Sequence, residues 1–461
     1  MKHNNKEKIF FSTKKPKDIY SHLLYACKKD TEKKIKKKIT IVYLENSLKF
    51  NFKIIFRIIA MIICGKFFHN KSFAQYEYNK IDIGRHSLSQ AYNHMESHIS
   101  FFKLNYYKLR YLYVSFLNID FLEKNKSRIV GAFIDHTHTL NGIFVNFLSQ
   151  QKVYIYTICY PRGLYCKLTE KKIIKTEDFI TFEKKKFHNK KIDKKIKKKI
   201  DSTMDSIVNF KKNIPWVHNR NYKKISKNLK EYDYLIYIHA FTDDQLRWGY
   251  DGFSNMRDWL EFTIETLLAN NNKVIIKSHP NYNKYNKHNK LRNSYELSIL
   301  NEIVEKYSKN KNIIFILDPI KNSEILNKVS KNIILITHHG TAILESIYLK
   351  FKIISYYRGV FNGFKLTNMW KNVFEYEKLL NKKFEDLKYA NMNDYYYVCE
   401  KIFLSEQGIF GKKYVFNLIS DNLSISKKKL DQNEAIIDNF DKNKISHIKL
   451  QKDIIKNIEF I

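Results

Sequence analysis

Five short apolar runs between Tyr234 and Tyr356, each separated from the next by a longer stretch, constrain this chain more than any other feature of its sequence. The runs are Tyr234–His239, Lys273–Lys277, Ile313–Leu317, Ile333–Thr337 and Lys352–Tyr356. None alternates strictly between apolar and polar residues, as expected of strands covered on both faces. In the gaps, apolar residues recur at helical spacing over Met256–Ala269, Leu291–Ser308, Ser323–Val329 and Ala342–Leu349. Strands and helices in that alternation predict an open parallel sheet with helices on both sides.

A second, fainter series lies upstream. Ile39–Leu44, Ile129–Ile134 and Val153–Cys159 read as strands, and Thr139–Gln150 as the helix of a right-handed crossover between the last two. At 461 residues the chain exceeds one ordinary core, so the expected fold class is α/β with two Rossmann-like lobes. The expected division is a polar, Lys-rich segment over 1–38, helical or frayed, a first lobe over 39–225 and a second over 226–420. A polar tail over 421–461, with the weakly amphipathic stretch Ser446–Ile461, completes the chain. The Lys-dense stretch Lys184–Lys199 reads as a solvated helix between the lobes.

The formal net charge of +37 admits three readings. Lysine, Asn, Ile, Tyr and Phe are abundant together, the joint bias an AT-rich genome imposes on any protein. A basic surface also favours anionic lipid and phosphorylated substrates. Nucleic acid is the least favoured partner, because arginine, which reads bases and phosphates bidentately, is sparse. The five cysteines are odd in number and form no CxxC pair, which suits free thiols in a reducing compartment. No apolar signal segment follows Met1, so a cytoplasmic location is expected. The most apolar stretch, Ile54–Cys64, is too short to span a bilayer and carries Arg57. A buried helix is the expected form, and a shallow membrane-docking helix flanked by Lys53 and Lys66 the alternative.

Ligands of open parallel sheets bind at the carboxyl ends of the strands, and the polar residues of the second lobe fall there. His338, His339, Gly340 and Thr341 follow one strand and lead into a helix carrying Glu345. Gly340 permits close backbone approach to an anion, Thr341 can cap the helix, and the helix end favours negative charge. Glu345 is placed to accept from ribose hydroxyls, or else is an ordinary N-terminal helix acid. Lys277, Ser278 and His279 follow another strand, with Pro280 stiffening the turn, and are expected to hold phosphate. His239 and Asp243 follow the first strand as acid–base or hydroxyl-orienting groups, with helix capping an equal reading for Asp243. In the first lobe Asp135 and His136 follow a strand, as candidate bases for an acceptor hydroxyl or as loop caps. Gly84-Arg85-His86 is a weaker candidate for acceptor or phosphate contact. No cluster has the spacing of a metal site, and none is expected.

The stretches Tyr237–Gln245 (YIHAFTDDQ), Asp258–Leu268 (DWLEFTIETLL), Val274–Asn281 (VIIKSHPN) and Thr337–Tyr356 (THHGTAILESIYLKFKIISY) resemble, in order and spacing, the capsule polysaccharide biosynthesis proteins. These are bacterial GT-B-type transferases that include Kdo transferases. The His-Pro and His-Gly-Thr pair is more distantly similar to CDP-glycerol phosphotransferases and bacterial sialyltransferases. The resemblance covers roughly residues 230–360 and reaches the first lobe only through GRH and IDHTH.

It implies a GT-B-like architecture with a cleft between the lobes, and a nucleotide-sugar donor as co-substrate with no other cofactor. It also implies metal-independent transfer to a glycan or lipid-linked glycan acceptor. His279 and the His338–Thr341 loop would hold the donor phosphates and Glu345 its ribose. Capsule assembly proteins would be partners, and the basic surface adds peripheral contact with an anionic membrane. The Lys-rich padding departs from the family pattern. The rivals are transfer of a phosphate-linked group, such as glycerol phosphate, on the same scaffold, and a non-catalytic basic protein that binds polyanions or nucleic acid.

Overall fold

A computed structural model describes residues 8–13, 35–43, 50–93, 101–134, 139–151, 153–159, 163–168, 192–209, 222–241, 249–279, 290–358, 361 and 363–404, with the single positions 28, 31, 32 and 246. They fall into two compact units, the first drawing on 1–90 and 105–176 and the second on 91–104 and 177–403. Each is an α/β unit built on its own largely parallel sheet.

The first unit contains β1 (Ile9–Ser12), β2 (Thr40–Tyr43), α1 (Phe52–Ile63), α2 (Ile83–Tyr92), α3 (Phe101–Asn125), β3 (Ile129–Ile134), α4 (Asn141–Gln150), β4 (Tyr154–Cys159) and β5 (Gly163–Leu168), with α2 and α3 each running across the division between the units. Its sheet runs β2-β1-β3-β4-β5, parallel except for the antiparallel edge strand β5. The strand–helix–strand unit expected over 129–159 is present. The polar N-terminal segment is corrected in one respect: Ile9, Phe10 and Phe11 are fully buried, and β1 lies inside the sheet between β2 and β3. Lysines on both sides of Ile9–Ser12 mask a strand only four residues long.

The second unit contains α5 (Lys194–Val208), β6 (Tyr234–Tyr237), α6 (Met256–Ala269), β7 (Val274–Lys277), α7 (Lys290–Tyr307), β8 (Ile313–Ile316), α8 (Asn322–Leu326), β9 (Ile334–Thr337), α9 (Ala342–Tyr348), β10 (Lys352–Tyr356), β11 (Asn368–Trp370), α10 (Val373–Leu380) and α11 (Met392–Cys399). The second lobe therefore begins before 226. α5 turns Ile200, Met204, Ile207 and Val208 inward and packs against α9 and α11, so its lysines occupy only the outer face. β11 is a further element that the sequence reading does not contain.

All six strands are parallel, in the order β11-β10-β9-β6-β7-β8. The chain moves outward from β6 through β7 to β8, then returns to the other side of β6 to lay down β9, β10 and β11. The β6/β9 seam is thus a topological switch point, the position at which open parallel sheets take ligands at their carboxyl edge.

Register fixes what each face carries. Tyr237 pairs with Lys277 on one side and with Thr337 on the other, and Ile236 with Ile276 and Ile336. In-register residues of a parallel sheet share a face, and successive residues alternate. Ile236, Ile276, Ile336 and Ile354 enter one core with Trp259, Leu260 and Ile264 of α6, Ile299 and Ile303 of α7, and Trp370, Tyr376 and Leu380. Ile264 is fully buried there. Ile264→Ala should lower the unfolding free energy of this unit by about 2–5 kcal/mol, read from urea denaturation, whereas a loss below about 1 kcal/mol would place α6 outside the core.

Candidate functional site

The same register delivers three histidines to one level. Tyr237, Lys277 and Thr337 are in line, so positions 239, 279 and 339 each lie two residues past aligned strand ends. Two residues on is the same face, and the rings do meet. The His239 ring is 4.0 Å from that of His339 and 5.8 Å from that of His279, centroid to centroid. The three imidazoles form a row across the ends of β7, β6 and β9, at the switch point.

His338, one residue earlier, belongs to the opposite face. It is 5% exposed and boxed by Trp259, Tyr356 and Trp370, with centroids 5.6, 5.0 and 5.7 Å away. Its Nε2 lies 2.7 Å from Oδ2 of the buried Asp251, and its Nδ1 lies 2.7 Å from Nδ1 of His339. A carboxylate only accepts, so Nε2 of His338 carries the hydrogen. A neutral His338 then has a bare Nδ1, which takes the Nδ1–H of His339. The Nε2 of His339 is then an acceptor in the neutral ring and a donor in the protonated one.

Backbone bonds hold this edge together. Ile238 N–H donates to Lys277 O, Ser278 N–H to Ile316 O and Tyr356 N–H to His338 O, at 3.0–3.1 Å. The buried Glu296 accepts from Phe241 N–H at 2.7 Å and pins the chain just after His239. Gly340 has φ +127°, a conformation that strains L residues, and a Cβ built there meets nothing within 4 Å. The backbone after His339 therefore borders open space.

Other expected residues are placed differently. Lys277 and Ser278 are buried, with Lys277 Nζ donating to Ser278 O at 3.0 Å and the Ser278 hydroxyl to Leu317 O at 3.1 Å. Thr341 makes no side-chain cap, because its own backbone is already helical and the hydroxyl does not return over the first turn. Glu345 accepts from Asn322 Nδ2 at 3.1 Å. Burial pushes its carboxyl up to about 7, against the pull of Asn322 and Lys277. Burial likewise brings Lys277 down to about 8, opposed by Asp318 and Glu345. Lys277 and Glu345 thus offset each other's charge in part, with Lys277 buried and Glu345 half-buried.

Asp135, His136 and Asp243 lie outside the described residues. Gly84-Arg85-His86 is built into the packing of the first unit. Arg85 pairs with Asp82 at 2.9 Å, His86 is 3.3 Å from Asn146 Nδ2, and a Cβ on Gly84 would overlap the Phe73 carbonyl. Among the described residues no group of three or more His, Cys, Asp or Glu is arranged to hold a metal ion. A cavity of about 420 Å3 opens at the opposite, amino ends of the strands, lined by Lys230, Tyr234, Asn272, Ile334 and Lys383. It contains none of the imidazoles.

Sequence reasoning missed Asp251 and Glu296. Asp251 carries a signal: Gly249 and Gly252, two of only 12 glycines, flank it with φ +100° and +107°. Side chains there would strike Arg358 and Val373. Glycines forced by close packing around an acid mark a carboxylate held in place.

No protein-family model matches the chain, and no curated protein does. Among solved structures, similarity is found to Thermosulfurimonas dismutans KpsC, a beta Kdo 2,4 transferase, at 10% identity and TM-score 0.37, covering 60% of this chain and 80% of that one. Methanocaldococcus jannaschii UDP-GlcNAc 2-epimerase in complex with UDP-GlcNAc and UDP follows at 14% identity and TM-score 0.26, covering 85% and 97%. A second structure of that epimerase gives 12% identity and TM-score 0.23, covering 85% and 98%. Superpositions this loose carry no inference about activity; the fold rests on the strand order above.

The raised carboxyl of Glu345 makes a pH prediction. The folded chain holds a proton on Glu345 that the unfolded chain, with the group at its ordinary 4.5, releases. Stability from this group is therefore full below about pH 4.5 and lost as pH rises through about 7. Relative to Glu345→Gln, the natural protein should lose on the order of 2 kcal/mol between pH 5 and 7.5 in urea unfolding. Parallel pH profiles would contradict this placement of Glu345.

Proposed function

We propose that the second unit binds the phosphates of a nucleotide sugar against His239, His279 and His339, and that the protein transfers the sugar to a glycan acceptor. The observation that carries this reading is the level row of imidazoles at the switch point, bordered by the open side of Gly340. Imidazoles donate hydrogen bonds to phosphate oxygens and can carry positive charge, so a row of them suits a diphosphate or phosphodiester leaving group.

In the transfer, the acceptor oxygen bonds to the anomeric carbon as the bond from that carbon to the donor phosphate breaks. Negative charge grows on the leaving phosphate, where His279 and a protonated His339 donate to it. The Asp251–His338 pair, with His338 boxed by aromatic rings, holds His339 in orientation and favours its charged form. The acceptor proton passes to a base, for which Asp135, His136 and Asp243 are our candidates.

Glu345 as a ribose contact is part of the same proposal, as is a growing capsular or related surface glycan, lipid-linked or free, as the acceptor. The nucleotide-sugar donor serves as co-substrate with no further cofactor, and the cytoplasm supplies it.

His279→Ala and His339→Ala should each lower kcat/KM for sugar transfer by about 100-fold or more with an unchanged melting temperature. Asp251→Asn, which keeps shape and an acceptor but not charge, should lower kcat by about tenfold or more and leave donor affinity nearly intact. Thermal-shift titration with CMP-, CDP-, UDP- and GDP-linked sugars identifies the nucleotide. Full activity in both histidine variants removes the proposal. Stabilisation by CDP-glycerol alone replaces it with transfer of a phosphate-linked group.

A further inference from the structure

α1 buries Ile54, Ile58 and Met61 and turns its other side outward. That outer side is not polar. Phe52, Phe56, Ile59 and Ile63, spaced i, i+4, i+7 and i+11, make a continuous apolar stripe, with Phe52 and Phe56 each 69% exposed and Ile63 78%. Phe50, just before the helix, and Phe68, just after it, are also exposed. The helix is anchored from behind. Arg57 Nη1 is 3.6 Å from Asp120 of α3, Asn51 Nδ2 donates to the same carboxylate, and Lys108 of α3 donates to the carbonyls of Phe67 and Phe68. The stripe is therefore held out by a rigid support, against the expectation of a wholly buried helix.

We propose that this face of the first unit docks flat on an anionic membrane surface. Charge decides the occupant. From residue 46 to 76 the sequence carries Lys49, Lys53, Arg57, Lys66 and Lys71 and not one Asp or Glu. Lys53 within the helix, and Lys66 and Lys71 shortly after it, are exposed. Exposed aromatic and aliphatic side chains on a segment whose charges are all basic fit a bilayer with acidic headgroups. The rings enter the acyl boundary and the ammonium groups stay at phosphate level. A protein partner would have to be acidic around an apolar centre, a narrower requirement. No helix among the described residues is long and apolar enough to cross a membrane, so α1 lies in the plane of the interface. The proposal holds whether or not the second unit takes a nucleotide sugar.

The test is co-sedimentation of the full chain with vesicles of phosphatidylcholine alone and of phosphatidylcholine with about a third phosphatidylglycerol. The natural protein should bind the anionic vesicles, more weakly as salt is raised, and bind the neutral ones poorly. The triple variant Phe52→Ser, Phe56→Ser, Ile63→Ser should bind anionic vesicles at least about tenfold more weakly, with no loss of melting temperature because all three side chains are exposed. Lys53→Glu with Lys66→Glu should lose most of the preference for anionic lipid. Unchanged binding by the triple variant would assign the effect to lysines elsewhere and overturn the proposal. So would an absence of vesicle binding together with self-association that the triple variant abolishes.

Discussion

The pairing of Tyr237 with both Lys277 and Thr337 is the constraint on which the second unit depends. Once those residues are in line, the alternation of side chains across a strand decides everything at the carboxyl edge. Residues one step further, Ile238 and His338, turn into the aromatic core, and residues two steps further, His239, His279 and His339, lie together on the other face. A slip of one residue in β9 would exchange His338 for His339 and break up the row. The apolar runs before these histidines therefore serve as register marks as well as core.

Charge at this edge is carried by the chain Asp251–His338–His339, whose hydrogen bonds run from a buried carboxylate to a half-buried imidazole. Lys277 and Glu345 are each drawn by burial toward the neutral form, and each opposes that shift in the other through its charge. Taking such groups out of water costs stability that their attraction repays only in part.

Much of this unit was legible in the sequence because its strands are short, continuous apolar runs and its helices are strongly periodic. Met256–Ala269 and Lys352–Tyr356 have the boundaries expected of them. All three imidazoles of the row were identified, yet nothing in the sequence alone set them at one level, since register is a property of strand pairing. His338 and His339 looked equivalent and are not, because they face opposite sides of the sheet. Lys277 resembled a phosphate-reaching lysine and is instead buried, its ammonium donating to the Ser278 carbonyl. β1 was hidden by the lysines around it, and Asp251 by a loop with no periodicity. The outward stripe of α1 entered only as the alternative to a buried helix, because burial of one helix face and exposure of the other look alike when both are apolar.

The central claim is that phosphate binds at the carboxyl edge of the β6/β9 seam. A crystal structure with a bound nucleotide tests it most directly. The account predicts phosphate oxygens within hydrogen-bonding distance of His279 and His339, beside Gly340. A nucleotide seated instead in the cavity at the amino ends of the strands, among Lys230, Asn272 and Lys383, with the imidazoles untouched, would contradict it.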